Sequence, residues 1–298
     1  MGGPPLMLGA RRLSPRPPDS GPSVVPPPRV GTAPRVRWRH EVRAAYAIWL
    51  RELTRFVSER ARILGALGQP LIYLAIMGTG FGATFRSAAV PHGFSYLEFM
   101  YPGVLGMTVL FTAIFSAISI IWDREFGFLK EILVAPVARG SIVAGKVAGG
   151  ATVATLQGVL LLILAPIVGV HLGPVQIAGV AVVMLLVAAS LTSFGLVIAS
   201  RMATMEGFQV VMNFLVLPLW LLSGAFFPLR GLPLWMTVLT RIDPLTYAVD
   251  ALRGVVYAGS PLAPALVQHS YRLNIAIVLL FFVVMLTAAI ATFRSRED

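Results

Sequence analysis

The stretch Gly140-Ser141-Ile142-Val143-Ala144-Gly145-Lys146 has the glycine and lysine spacing of a phosphate-cradling loop, in which backbone N–H groups hold the phosphates and the lysine reaches the terminal ones. The chemistry stops one residue later. Val147 stands where a Ser or Thr hydroxyl is needed for magnesium, and no buried strand leads into the loop. Gly145 and Gly149 read instead as small residues that let helices approach, with Lys146 marking a cytoplasmic boundary. The four histidines (His40, His92, His171, His269) fall at or outside the ends of long apolar stretches, and the chain has no cysteine. An intramembrane imidazole, thiolate ligands and a thiol nucleophile are therefore all missing. Gln157, Gln209 and Asn213 are the noteworthy amides inside apolar stretches, and their simplest role is an interhelical hydrogen bond.

The scaffold that must position any remaining chemistry is an oily one. Of 298 residues, 57% are hydrophobic and 12% charged, against roughly 45–50% and about 25% in soluble domains; mean hydropathy is +0.81. Beyond Arg62 lie six stretches without Asp, Glu, Lys or Arg: 63–85, 99–122, 147–170, 172–200, 207–229 and 273–293. Crossing a hydrocarbon core of about 30 Å takes about 20 helical residues, so each is long enough. None alternates apolar with polar at period two, which argues against strands. The expected fold is an all-α integral membrane protein with six transmembrane helices.

The net charge of +11 is unevenly spread, because residues 1–62 hold 12 Arg against four acids. With the N-terminus inside, 19 of the 24 basic residues fall on the inner side and five (Arg86, Arg230, Arg241, Arg253, Arg272) on the outer. The positive-inside rule then places both termini in the cytoplasm. Residues 1–38, with ten prolines and six arginines, cannot bury enough apolar surface to order themselves and read as a disordered cytoplasmic tail. Its single aromatic is Trp38, at its last position, and it has no recognisable fold for nucleic acid, so its basic charge reads as a topology device. An Arg-rich, acid-poor start is also the composition of an organellar transit peptide. In residues 39–62, Val42, Tyr46, Trp49, Leu53, Phe56 and Val57 recur at helical spacing while Arg39, Arg43, Glu52, Glu59 and Arg62 fall largely elsewhere. That pattern suits an interfacial amphipathic helix with its aromatic face in lipid and its arginines toward headgroups; an ordinary surface helix is the alternative.

No ionisable residue lies inside the six stretches, so an ion-driven carrier or proton relay lacks its usual machinery. Two regions do more than span. The loop Trp122 to Gly140 mixes charges with Phe126, Phe128, Leu129, Ile132 and Leu133 before Pro136, the composition of a short helix that docks into a groove on another protein. The stretch 222–253 is too apolar for a free loop and too interrupted by Gly and Pro for a further span. Broken, re-entrant helices between spans five and six fit it.

Several pieces in register resemble one family: Gln69-Pro70 opening span one, the Arg124-Glu125 to Pro136 loop, Ser223-Gly224 to Pro228, Leu232-Pro233, Pro244-Leu245-Thr246-Tyr247 and Asp250-Ala251-Leu252-Arg253. Together they look like the membrane subunit of an ABC-2 type exporter, the family of daunorubicin-type drug, nodulation-factor and polysaccharide or teichoic-acid exporters. The likeness covers residues 40–298. One departure is Lys130 after Leu129, where many relatives carry a small residue and then Glu; Glu131 is left to take that role.

The resemblance implies a pump in parts, seated in a bacterial plasma (inner) membrane. Two permease subunits, identical or paired with a close paralogue, would carry two cytoplasmic ABC ATPase subunits; ATP and magnesium would be bound by those partners and no cofactor by this chain. Residues 63–298 would form the six-helix transmembrane domain and 39–62 a connecting helix that also touches the ATPase. In the coupling loop, Glu125, Lys130, Glu131 and Arg139 would make polar contacts and Phe128 and Leu129 would pack. Spans two and five would line the path of an amphipathic or lipid-linked substrate, with Phe111, Phe115, Phe208 and Asn213 as candidates, although membrane lipid or plain packing also accounts for the aromatics. The re-entrant gate would comprise Gly224, Pro228, Pro233, Pro244, Tyr247, Asp250 and Arg253. A self-sufficient channel or secondary carrier, and a membrane-embedded lipid-modifying enzyme, are the competing classes.

Overall fold

The computed structural model describes residues 2–3, 38–58, 60–85, 95–125, 137–261 and 263–294. By internal contacts the chain divides into Met1–Arg35, of which only Gly2 and Gly3 are described, and Val36–Asp298. The second unit is helical throughout its regular structure: α1 (Trp38–Ser58), α2 (Arg60–Phe85), α3 (Tyr96–Ser116), α4 (Ile118–Glu125), α5 (Arg139–Leu161), a 3-10 turn at Leu162–Leu164, α6 (Ala165–Val168), α7 (Pro174–Arg201), α8 (Met205–Leu222), α9 (Leu234–Ile242), α10 (Pro244–Val256), α11 (Ala263–Leu266) and α12 (Tyr271–Arg294). Among the described residues, five helical units are long and apolar enough to cross a membrane: Tyr96–Glu125, Arg139–Val168, Pro174–Arg201, Met205–Leu222 and Tyr271–Phe293. Helix α2 covers the first charge-free stretch with 26 residues and is not one of these five.

Helix α3 is the hub, buried along most of its length. Ser95 and Glu98 form a capping box at its start: Ser95 Oγ accepts from Leu97 N at 3.2 Å and Glu98 Oε2 accepts from Ser95 N at 3.2 Å. Two otherwise orphaned N–H groups are thereby satisfied where the chain enters the bundle. Lipid tails are as apolar as leucine, so burial in hydrocarbon does not press such helices together; close packing and interhelical hydrogen bonds do. Helix α7 meets α3 through Gly195, where an added Cβ would lie 2.9 Å from the Ile114 carbonyl oxygen. A second contact follows from broken helical bonding. Ala165 N–H turns back to Leu162 O, leaving Leu161 O without its usual donor, and Tyr101 OH supplies one at 2.9 Å.

The amphipathic segment differs from expectation in face. Helix α1 is described to Ser58 and α2 from Arg60, with residue 59 outside the described residues. Val42, Tyr46 and Val57 are exposed, as lipid contact requires, but Phe56 is buried and Trp49 turns to the bundle, donating through Nε1 to Thr152 Oγ1 at 3.0 Å. Glu52, expected away from the aromatic face, lies toward the bundle on the same side as Trp49. The reason is tertiary: α1 has a polar partner on α5, and a charge goes where its counter-charge is.

Gly195→Leu should lower the melting temperature of the detergent-solubilised protein, since overpacking such a contact costs about 1–3 kcal/mol. Gly80→Leu, whose Cβ would meet no atom within 4 Å, should leave it unchanged.

Candidate functional site

Helix α1 lies against α5 because Gly145 and Gly149 offer no side chain at the crossing. A Cβ on Gly145 would sit 2.7 Å from Ala45 O, and one on Gly149 2.7 Å from Glu52 Cβ. The close approach that the glycine spacing predicted brings Glu52 to Lys146. Lys146 Nζ lies 2.7 Å from Glu52 Oε1, 2.6 Å from Asp123 Oδ2 and 2.9 Å from Ser119 Oγ. Arg51 Nη2 closes the group at 2.8 Å from Asp123 Oδ2 and 3.6 Å from Glu52 Oε1. Two cations meet two anions, and Lys146 and Asp123 are 4% and 6% exposed. An ammonium has three donors and here faces three acceptors. Lys146 is thus committed inside a helix, and the phosphate-loop spacing has no phosphate-binding geometry behind it.

Further polar contacts radiate from this node. Arg55 stacks over Trp122 at 4.2 Å, Trp122 Nε1 contacts Met205 Sδ, and Arg124 Nη1 donates to Met202 O at 2.7 Å. Beyond residues 126–136, which lie outside the described residues, Glu41 accepts from Ala138 N at 2.8 and 3.0 Å, and Arg139 Nη1 donates to Phe293 O at 2.9 Å. The residues described on either side of that segment are therefore tied to other parts of the bundle. Glu125 is exposed at the end of α4. Phe128, Leu129, Lys130 and Glu131 lie outside the described residues.

Three of the four proposed path residues come together. Phe111 and Phe115 stack at 6.2 Å, and Phe115 meets Phe208 edge-on at 6.4 Å. The ladder continues from Phe111 to Trp220 at 6.3 Å and from Trp220 to Phe226 at 4.4 Å. Phe208 is fully buried and serves as packing, whereas Phe111 and Phe115 are half-buried and line a cleft of about 370 Å³ between α2, α3 and α5. Asn213 is exposed on α8, apart from the ladder. Thr112 Oγ1 donates across to Gln157 Oε1, the interhelical bond expected of that amide.

The segment after α8 is held by buried polar groups. Gly224 adopts a left-handed φ of 75°, and its carbonyl accepts from Arg253 Nη2 at 3.0 Å. The Arg253 guanidinium also lies 4.5 Å over the Phe99 ring, joining α10 to α3. Asp250 accepts from Gln268 N at 2.9 Å, His269 N at 2.8 Å and Asn274 Nδ2 at 2.9 Å, joining α10 to the start of α12. Tyr247 OH donates to Arg241 O at 2.9 Å. Pro233 caps α9 and accepts from Thr237 N at 3.0 Å, Pro244 opens α10, and Pro228 lies half-buried in the connecting turn. Asp243 caps α10, accepting from Leu245 N at 2.8 Å, yet burial pushes its carboxyl up to about 7 against that bond and one from Thr246.

The sequence profile described as ABC-2 type transporter matches residues 43–257, which take in both the Lys146 node and the hairpin through Tyr257. The chain belongs to the ABC-2 type transporter family. Putative transport permease ycf38 of Cyanophora paradoxa is 31% identical over 194 residues, covering 64% of this chain and 66% of that protein. Inner membrane transport permease YadH of Escherichia coli K12 is 30% identical over 218 residues, covering 70% and 81%. Nodulation protein J of Rhizobium leguminosarum bv. trifolii is 28% identical over 239 residues, covering 79% and 89%. The matched region is a transport permease, a membrane subunit without an ATPase domain, and the family implies an ATPase partner.

In this ABC-2 permease the residues that sequence reasoning passed over are Arg51, Glu52, Asp123 and Asn274. Asp123 and Lys146 had served as the ends of charge-free stretches. The available signal was Glu52, an acid in an arginine-rich helix, together with a small-residue stripe ending on a lysine.

Lys146→Met strands two buried carboxylates on one arginine, and breaking a buried pair from one side costs about 3–5 kcal/mol; a large drop in melting temperature should follow, partly restored in Lys146→Met/Glu52→Met. A pH dependence should come from Asp243. Its folded-state pKa of about 7 exceeds the unfolded 3.8, so its contribution to stability is full below the lower value and lost as pH rises through the upper one. Asp243→Asn, which keeps a capping oxygen, should flatten that decline in thermal melts between pH 4 and 8.

Proposed function

We propose that this permease forms half of the membrane part of an ATP-driven exporter in a bacterial inner membrane. Two copies, or this chain and a close paralogue, make the membrane dimer, and two cytoplasmic ATPase subunits dock on the 124–139 segment, with ATP and magnesium held by those subunits. In this reading α2 supplies a sixth span, 63–298 is the transmembrane domain, 39–62 the connecting segment and 1–38 a cytoplasmic tail, with both termini inside. The hairpin of α9 and α10 re-enters the outer leaflet and gates release of an amphipathic or lipid-linked substrate.

The observation that carries this reading is the Lys146 node. It joins α1, the end of span two and the start of span three, so a push on the loop between those spans reaches the helices directly and does not dissipate in a hinge. Closure of the ATPase pair on ATP would move that loop and shift the balance between inward-open and outward-open states. Uncharged spans suit a cargo that is not a small ion. The printed names of two relatives, an inner membrane transport permease and a putative transport permease, favour the same assignment.

Reconstituted with its partner ATPase, the Glu131→Lys/Phe128→Ala variant should insert normally but lose coupling between ATP hydrolysis and transport; normal coupling would remove the loop from this role. The lack of native cysteine makes topology simple to test. In intact cells a membrane-impermeant maleimide should label Ser260→Cys and spare Ser14→Cys, and labelling at position 14 would overturn the orientation.

A further inference from the structure

The cleft between α2, α3 and α5 has an uneven chemistry that follows neither from lipid contact nor from plain packing. One wall is the stacked pair Phe111 and Phe115, whose planes differ by 11°, continued by Met107. The same cleft is lined by Gln69 on α2, Thr112 on α3 and Gln157 on α5. Gln157 is 1% exposed, and Thr112 occupies its oxygen. Its NH2 group therefore borders the cleft with no partner among the described residues. The donor stays open to whatever fills the cleft, and a molecule that accepts from it spares the cost of about 1–3 kcal/mol that covering it unpaired would bring. Gln69, also without a partner among the described residues, lies on the α2 side. No Lys, Arg, Asp, Glu or His lines the cleft among the described residues.

We propose that this cleft is a binding site for an uncharged, largely planar apolar molecule that carries a carbonyl or ether oxygen, with the ring system against Phe111 and Phe115 and the oxygen accepting from Gln157 Nε2. The volume of about 370 Å³ falls within the range of small-molecule pockets, about 300–1,000 Å³, which are mostly apolar with a few placed polar groups. Among the described residues no charged side chain would answer an ion in the cleft, and a buried ion without a partner is strongly disfavoured. Rejection of ligands that lack the oxygen follows from the site's own donors, which they would leave unpaired. As an account of cargo, this rests on the exporter reading above; as a binding site, it does not.

The test uses the full permease in lipid nanodiscs, without an ATPase, and reads quenching of Trp220, which stands edge-on to Phe111 at 6.3 Å; Trp220→Phe and empty nanodiscs supply the background. The probes are flavone, 2-phenylnaphthalene as its near-isosteric hydrocarbon, and N-methylacridinium as a planar cation. Flavone should quench Trp220 saturably and bind more tightly than the other two. Gln157→Leu should weaken flavone about tenfold and leave 2-phenylnaphthalene within twofold, while Phe111→Ala should weaken both. Thr112→Val, which releases the amide from its bond, is the second variant should Gln157→Leu not fold, and should also weaken flavone selectively. Equal loss for flavone and the hydrocarbon, tighter binding of the cation, or no saturable quenching would each overturn the proposal. Flavone binding that survives while the ATPase-reconstituted complex exports nothing would instead sink the exporter reading and leave the site standing.

Discussion

A lysine cannot be held at 4% exposure among apolar helices unless its charge is answered, and the packing of α1, α4 and α5 is arranged around answering it. Lys146 draws Glu52 from α1 and Asp123 from α4 to within 2.7 Å, and Arg51 restores neutrality. Taking Lys146 and Asp123 out of water is expensive, and attraction within the cluster offsets this only when the geometry is close and the remaining donors are used. That requirement dictates the glycine stripe beneath the cluster. With any side chain at positions 145 or 149, α1 would be held too far out for Glu52 to reach. One electrostatic constraint thus fixes helix spacing, helix rotation and the flanks of the 126–136 loop together.

At the opposite end the same problem is solved with neutral groups and one buried ion of each sign. Asp250 gathers two backbone N–H groups and Asn274, and Arg253 reaches the Gly224 carbonyl while resting on Phe99. These bonds attach a hairpin with broken helices to α3 and α12, so backbone irregularity is met by protein partners as an apolar environment demands. Between the two ends runs the ladder from Phe208 through Phe115 and Phe111 to Trp220 and Phe226. Rings at such separations pack with specific geometry but without directional bonds. The ladder is flanked by directional bonds of its own, from Tyr101 to the Leu161 carbonyl and from Thr112 to Gln157.

Much of this was legible in residue types. Charge-free stretches long enough to span gave five helices of spanning length, and Gly145 and Gly149 gave the α1/α5 crossing. Gln157 gave an interhelical bond. The hairpin motif from Gly224 to Arg253 marked the residues that tie it down. What was not legible shares one cause: each such contact is a pairing between residues far apart in the chain. Glu52 and Lys146 are 94 positions apart, Asp250 and Asn274 are 24 apart, and a charge tally counts such residues without showing which of them meet.

The sequence by itself determined that the chain is helical and holds stretches long and apolar enough to cross a membrane. Those properties follow from composition and run length, which the bilayer reads directly through its thickness and its intolerance of unpaired polar groups. Only the tertiary structure decided which face of α1 packs, that Lys146 is a structural cation with no phosphate to bind, and that Phe111 and Phe115 border a cleft with Gln157 while Asn213 points away. Inside a membrane the hydrophobic effect does not choose between helix faces. Steric fit and matched polar partners do, and both belong to pairs of helices, which a single stretch of sequence does not contain.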